Sequence, residues 1–117
     1  ENFESKQERA VLVGLNAACF TKEQTATEES LEELEALLET AGGFCTGKML
    51  QNRPNPDPHS FIGEGKVEEV KRMVENSEAT MVIFDNDLSP SQVRVLTELC
   101  GVQVLDRKKL QQLARGE

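Results

Sequence analysis

The chain alternates between two hydrophobic periods, and that alternation leaves few folds open to it. Ala10, Val11, Leu12, Val13, Gly14 and Leu15 form an unbroken apolar run of strand length, the pattern of a strand buried on both faces of a parallel sheet. From Thr25 the spacing changes. Leu31, Leu34, Leu38 and Ala41 recur at helical intervals with Leu37 beside them, while Glu28, Glu32, Glu35 and Glu39 fall on the other side. Thr25 and Glu28 are spaced for a capping box, and Gly42-Gly43 offers the left-handed residue that ends many helices. A second strand is expected over residues 44–50. A second helix follows, carrying Val67, Val70, Met73 and Val74 on one face, and then a third strand over residues 81–84. Ser89, Pro90 and Gln92 occupy the N-cap, first and third positions of a third helix, with Leu88 and Val93 placed as a hydrophobic staple. Val93, Leu96 and Cys100 are its inward stripe, and Gly101 its stop. Residues 102–105 make a fourth strand, and Asp106 caps a last short helix. The order β-α-β-α-β-α-β-α predicts a single α/β domain, with a mostly parallel four-stranded sheet, flanking helices and right-handed crossovers.

Composition narrows the chemistry. With 117 residues there is room for one modest core. No apolar run approaches the roughly 20 residues that cross a bilayer, so no membrane is expected and a cytoplasmic location follows as the default. Cys19, Cys45 and Cys100 are widely spaced, without a Cys-x-x-Cys pair, and read as reduced thiols rather than a disulfide framework or zinc site. His59 is the only histidine, which excludes a paired-histidine metal site and leaves a catalytic triad one possible base. The net charge of −8 is concentrated early: residues 1–41 hold ten Asp/Glu against three Lys/Arg, residues 42–117 eleven against ten. An acidic average argues against indiscriminate nucleic-acid binding, while the balanced second part leaves local contacts open.

Open parallel sheets bind ligands beyond the carboxyl ends of their strands, here residues 16–24, 51–60, 85–89 and 106–109. Pro54, Pro56 and Pro58 make residues 51–60 a stiff surface loop. Gly42 to Gly47-Lys48 has the spacing of a phosphate-binding loop. However, Met49 stands where a magnesium-binding Ser or Thr is required, and the glycines follow a helix instead of a strand. Gly63, Gly65 and Lys66 lead into a helix and can present backbone amides and a cation to an anion, although two glycines in a tight turn have a purely structural explanation as well. Lys48, Arg53 and Lys66, against only Asp57 and Glu64, make residues 48–66 locally basic. Asp85 and Asp87 are candidates for magnesium or acid-base work, though turn and capping roles suit them better.

Eight segments then fall in one order and spacing: Glu8-Arg9-Ala10-Val11-Leu12-Val13-Gly14, Glu29-Ser30-Leu31-Glu32-Glu33-Leu34, Ala41-Gly42-Gly43, Gln51-Asn52-Arg53-Pro54, Phe61-Ile62-Gly63-Glu64-Gly65-Lys66-Val67-Glu68-Glu69, Val82-Ile83-Phe84-Asp85, Leu88-Ser89-Pro90-Ser91-Gln92 and Val104-Leu105-Asp106-Arg107. Together they resemble the N-terminal domain of the HflX family of ribosome-associated GTPases. The resemblance implies an α/β domain over residues 8–107, with 1–7 and 108–117 as flanks. In that family the domain precedes a helical hairpin and a GTPase domain that uses GTP and magnesium. The family binds the large ribosomal subunit and splits stalled ribosomes; its N-terminal region helps engage the ribosome and is associated with ATP binding. This sequence lacks a complete P-loop and an Asn-Lys-x-Asp guanine-recognition motif, so the GTPase domain is expected to be absent and the chain inactive alone, with no cofactor of its own. It also departs from the family after Arg107, where Lys108-Lys109-Leu110-Gln111-Gln112-Leu113 replaces a strongly apolar helix. The partners implied are the large ribosomal subunit with its RNA and a downstream GTPase domain. The residues expected to meet a nucleotide or RNA phosphate are Gly63, Gly65, Lys66, Arg53 and Lys48. The alternative is a small ATP-binding protein or weak ATPase using residues 63–66.

Overall fold

The unbroken apolar run takes the interior of the sheet, as its lack of a polar face demands. In the computed structural model, which describes residues 7–116, strand β1 (Arg9–Ala17) lies between β2 (Phe44–Arg53) and β3 (Met81–Phe84), and β4 (Gln103–Asp106) closes the far side. All neighbours pair parallel, in the order β2-β1-β3-β4. The inner strands β1 and β3 are buried except at Arg9 and Asn16 near the ends of β1, whereas the edge strands carry most of the polar residues. Apart from Gln7, the leading flank 1–7 lies outside the described residues, as does Glu117.

The period-2 alternation of β1 divides the core between two faces. Val11, Val13 and Leu15 pack with Val82, Phe84 and Val104 under α2 (Glu64–Ser77) and α3 (Pro90–Cys100). Ala10 and Leu12 pack with Met81, Ile83 and Leu105 under α1 (Glu28–Thr40) and α4 (Arg107–Ala114). Leu110 of α4 is fully buried, so residues 108–114 are part of the folded body.

The helix boundaries follow the local chemistry. Ser89 caps α3 by accepting from the Gln92 amide at 3.2 Å while the Gln92 side chain accepts from the Ser89 amide at 3.0 Å, and Gly101 ends the helix at φ 77°. Ser89→Ala should therefore lower the unfolding free energy by about 1 kcal/mol with the far-UV spectrum preserved. An unchanged denaturant midpoint would remove the cap assignment. Asp106 caps α4 as expected, accepting from the Lys109 amide at 2.9 Å.

Two local expectations need correction. The capping box of α1 is not Thr25 with Glu28; it is Thr27 with Ser30, whose hydroxyls and amides exchange bonds of 2.7 and 3.0 Å. Thr25 and Ala26 are instead tied to β1, the Thr25 hydroxyl donating to Asn16 Oδ1 at 2.7 Å and the Ala26 amide to the Leu15 carbonyl at 3.1 Å. The helix cannot begin until the chain leaves the strand. The second correction concerns β2, which does not stop at Leu50. Because β1 runs on to Ala17, pairing continues to Ala17↔Arg53 and ends only at Pro54, which has no amide to donate. Gln51, Asn52 and Arg53 are therefore strand rather than loop, and Ser60 in the following connection is fully buried.

Candidate functional site

The strand order places a topological switch between β1 and β3, since α1 carries the chain from β1 toward β2 and α3 carries it the other way, from β3 to β4. In this chain the crevice there is bridged by the protein's own polar groups. The Asn86 side chain continues the ladder: Oδ1 accepts from the Leu15 amide at 2.9 Å, and Nδ2 donates to the carbonyls of Leu15 at 3.0 Å and Gln24 at 2.9 Å. Beside it Asp85, 2% exposed, accepts from Arg107 Nε at 2.9 Å and from the Ser30 hydroxyl. The rest of the Arg107 guanidinium donates to the carbonyls of Glu23 at 3.2 Å, Thr25 at 3.5 Å and Asp85. A planar fork of five donors suits this cluster of acceptors, which ties the β1–α1 connection to the start of α4.

Asp85 is thus ion-paired and enclosed, while Asp87 is exposed. No grouping of three or more His, Cys, Asp or Glu among the described residues is arranged to hold a metal. Asn86 was not singled out by the sequence. The available signal was its place one residue beyond Asp85 at the end of an inner strand, where a side-chain amide can substitute for the missing ladder.

The second feature is the β2–α2 connection. Asp57 and Phe61 exchange backbone bonds of 2.9 Å, and Asp57 Oδ1 accepts from the amides of His59 at 2.8 Å and Ser60 at 2.9 Å. Those two backbone bonds hold the Asp57 carboxyl below its usual range. The Ile62 amide donates to the Ser60 carbonyl at 2.7 Å across Phe61, which sits at φ 67°. This is a strained conformation for an aromatic residue. The ring holds it there, packing 6.3 Å from Phe20 and 6.0 Å from Phe84 between centroids.

The structure brings four of the five expected site residues to this connection and leaves the fifth apart. Arg53, at the end of β2, donates to the carbonyls of Asn55 at 2.9 Å and Ile62 at 3.4 Å, and its guanidinium lies over Gly63. Gly63 has φ 90°, a conformation that requires glycine, and a Cβ there would stand 2.6 Å from Arg53 Nη1, so a side chain would also push the guanidinium aside. Gly63 supplies no side-chain cap, and α2 opens with Glu64, Gly65 and Lys66 in its first turn. Gly65 borders open space. Lys66 Nζ lies 3.1 Å from Glu69 Oε1. Lys48 is elsewhere: it projects to the α1 side of β2 and meets Glu35 at 2.5 Å, a bond that raises its pKa. Gly47 and Lys48 lie inside a strand and Gly42, at φ 101°, ends α1, so the glycine-lysine spacing noted above is not a strand–loop–helix phosphate cradle.

Residues 28–111 match the family described as GTP-binding GTPase N-terminal. That match covers most of the chain. This chain belongs to the HflX N-terminal domain family. The GTPase HflX of Escherichia coli (strain K12) is 39% identical over 103 residues, 88% of this chain and 23% of that protein. The GTPase HflX of Alkalihalophilus pseudofirmus is 38% identical over 103 residues, again 88% of this chain and 24% of that protein. The chain therefore spans about a quarter of the length of these HflX relatives. Among solved structures, SsGBP in complex with GDP superposes with a TM-score of 0.70 at 21% identity, over 94% of this chain and 29% of that one. A GTP-binding protein from Sulfolobus solfataricus in complex with GDP gives 0.65 at 22%, over 92% and 30%. These two establish the likeness of fold. Membership among HflX domains favours the GTPase-associated reading over the small ATPase. No described helix is long and apolar enough to cross a membrane.

Proposed function

We propose that this HflX N-terminal domain engages the large ribosomal subunit for a GTPase that acts on it and splits stalled ribosomes, and that it meets ribosomal RNA at the Arg53–Lys66 surface. The supporting observation is the placement of Arg53 across the uncapped first turn of α2. Backbone amides at a helix start and a guanidinium fork both recognise phosphate oxygens, and here they share one face. The connection is held by Phe61 and by the bonds of Asp57, so little ordering is left to be lost on binding. Lys48, turned to the opposite face and neutralised by Glu35, takes no part. GTP and magnesium belong to the GTPase domain in this reading, and no catalytic residue is assigned to the chain.

The expected result is that Arg53→Ala and Lys66→Ala each weaken association with purified large subunits and flatten its salt dependence, about one counterion's worth of slope per lost contact. Charge changes at Glu32 and Glu35 should matter little. Equal binding by the wild-type chain and a folded Arg53→Ala/Lys66→Ala variant at low salt would sink the contact.

A further inference from the structure

We propose that the outer edge of β2 is a docking site for an extended peptide strand whose residues alternate between basic and apolar. This goes beyond the RNA contact and does not depend on it. Strand β2 is ten residues long and pairs on one side with β1; no described strand lies on its other side. The Ala18 amide donates to the Arg53 carbonyl at 3.2 Å, so the backbone polar groups of Arg53 face β1. Period-2 alternation then turns those of Lys48, Leu50 and Asn52 outward, unused by the sheet. The register with β1 shifts between Cys45 and Gly47, and the regular part of the edge runs from Gly47 to Arg53; an edge of that length is ordinarily covered.

The two faces flanking the edge differ in chemistry, and the difference specifies the occupant. On the α2 side lie Phe44, at 37% the exposed large apolar residue of the described chain, and half-buried Met49 and Met73, the last lying over Gly47; Glu69, Arg72, Asn76 and Ser77 border the two methionines, with Glu69 paired to Lys66, so this face is apolar at its floor and carries no excess of acid. Thioether side chains adapt to varied apolar partners. On the α1 side, Leu31 and Leu50 are bordered by Glu28 and Glu32, while the nearby Lys48 is spent on Glu35. An added strand presents successive side chains to opposite faces. Apolar residues at every second position would meet Phe44, Met49 and Met73; Lys or Arg at the others would meet Glu28 and Glu32. A second copy of this chain fits poorly, because antiparallel pairing of two β2 edges sets one acidic α1 beside the other in a molecule of net charge −8.

The test is titration of the isotope-labelled chain with a blocked ten-residue peptide alternating Arg and Val, followed by amide shifts and hydrogen exchange. Shifts confined to β2, α1 and α2, with slowed exchange at Lys48, Leu50 and Asn52, support the proposal. Asn52→Pro removes an outward amide that β1 does not use and should weaken binding about tenfold or more. Glu28→Lys/Glu32→Lys should weaken it by a similar factor of about ten, and Met73→Lys provides a second probe on the apolar face. Equal binding of a peptide with Glu in place of Arg, retention of affinity in a folded Asn52→Pro variant, or concentration-dependent dimerisation through β2 would each overturn it.

Discussion

Arg107→Ala is expected to destabilise the domain by about 3 kcal/mol or more, the cost typical of removing one partner from a buried ion pair. Asp85 is 2% exposed and keeps only the Ser30 hydroxyl as side-chain donor once the guanidinium is gone. The carbonyls of Glu23, Thr25 and Asp85 lose a donor in the same step. Arg107→Lys should recover less than half of the loss, because an ammonium cannot reproduce a planar fork serving one carboxylate and three carbonyls. Urea unfolding measures the size of the effect, and hydrogen exchange locates it: amides of residues 18–27 should open before the sheet does. A loss below about 1 kcal/mol would mean that the pair contributes no more than a surface ion pair. Combining Arg107→Ala with Asp85→Ala should be less damaging than the sum of the two, since the second change removes the stranded charge.

Much of the fold was legible because the inner strands and the helix stripes are set by hydrophobic period, which survives without knowledge of partners. Residues 10–15 and 81–84 had nowhere to go but the interior, and Ser89-Pro90 fixed a boundary by local hydrogen bonding alone. The misplaced features depend on pairing. β2 extends to Arg53 only because β1 runs to Ala17, and α1 starts at Glu28 only because Thr25 and Ala26 remain bonded to β1. The same distinction governs the candidate sites. Arg53 and Gly63 were both visible in the sequence, ten residues apart, but their contact requires the turn at Phe61, whose positive φ no propensity predicts for an aromatic residue. Lys48 was grouped with them by charge, yet alternation along β2 sends positions 48 and 53 to opposite faces. The bridging of the switch point by Asn86 and Arg107 joins residues from the β3–α3 connection and α4 to a loop more than 60 positions earlier, a relation that no local window contains.

Phe84→Ala should be the most damaging single truncation in the core, lowering stability by about 3–5 kcal/mol. Phe84 is 0% exposed at the end of an inner strand, among the largest fully buried side chains, and a domain whose total stability is about 5–15 kcal/mol would lose a substantial share of it. The damage should also reach the candidate site. Phe84 meets the Phe61 ring edge-on at 6.0 Å, and Phe61 holds its φ of 67° only while packing between Phe84 and Phe20 repays the strain. With Phe84 truncated, Phe61 loses one wall and the Asp57–Phe61 bonds lose their anchor, so Arg53 and Gly63 should no longer be held together. The expected signature is loss of stability accompanied by increased exchange across residues 57–63, under conditions where the folded population still dominates. Leu12→Ala is the control: it empties a comparable volume on the α1 side of the sheet, away from this connection. It should lower stability without selectively loosening residues 57–63. If both variants loosen that segment equally, the aromatic contact is not what holds the Arg53–Gly63 geometry.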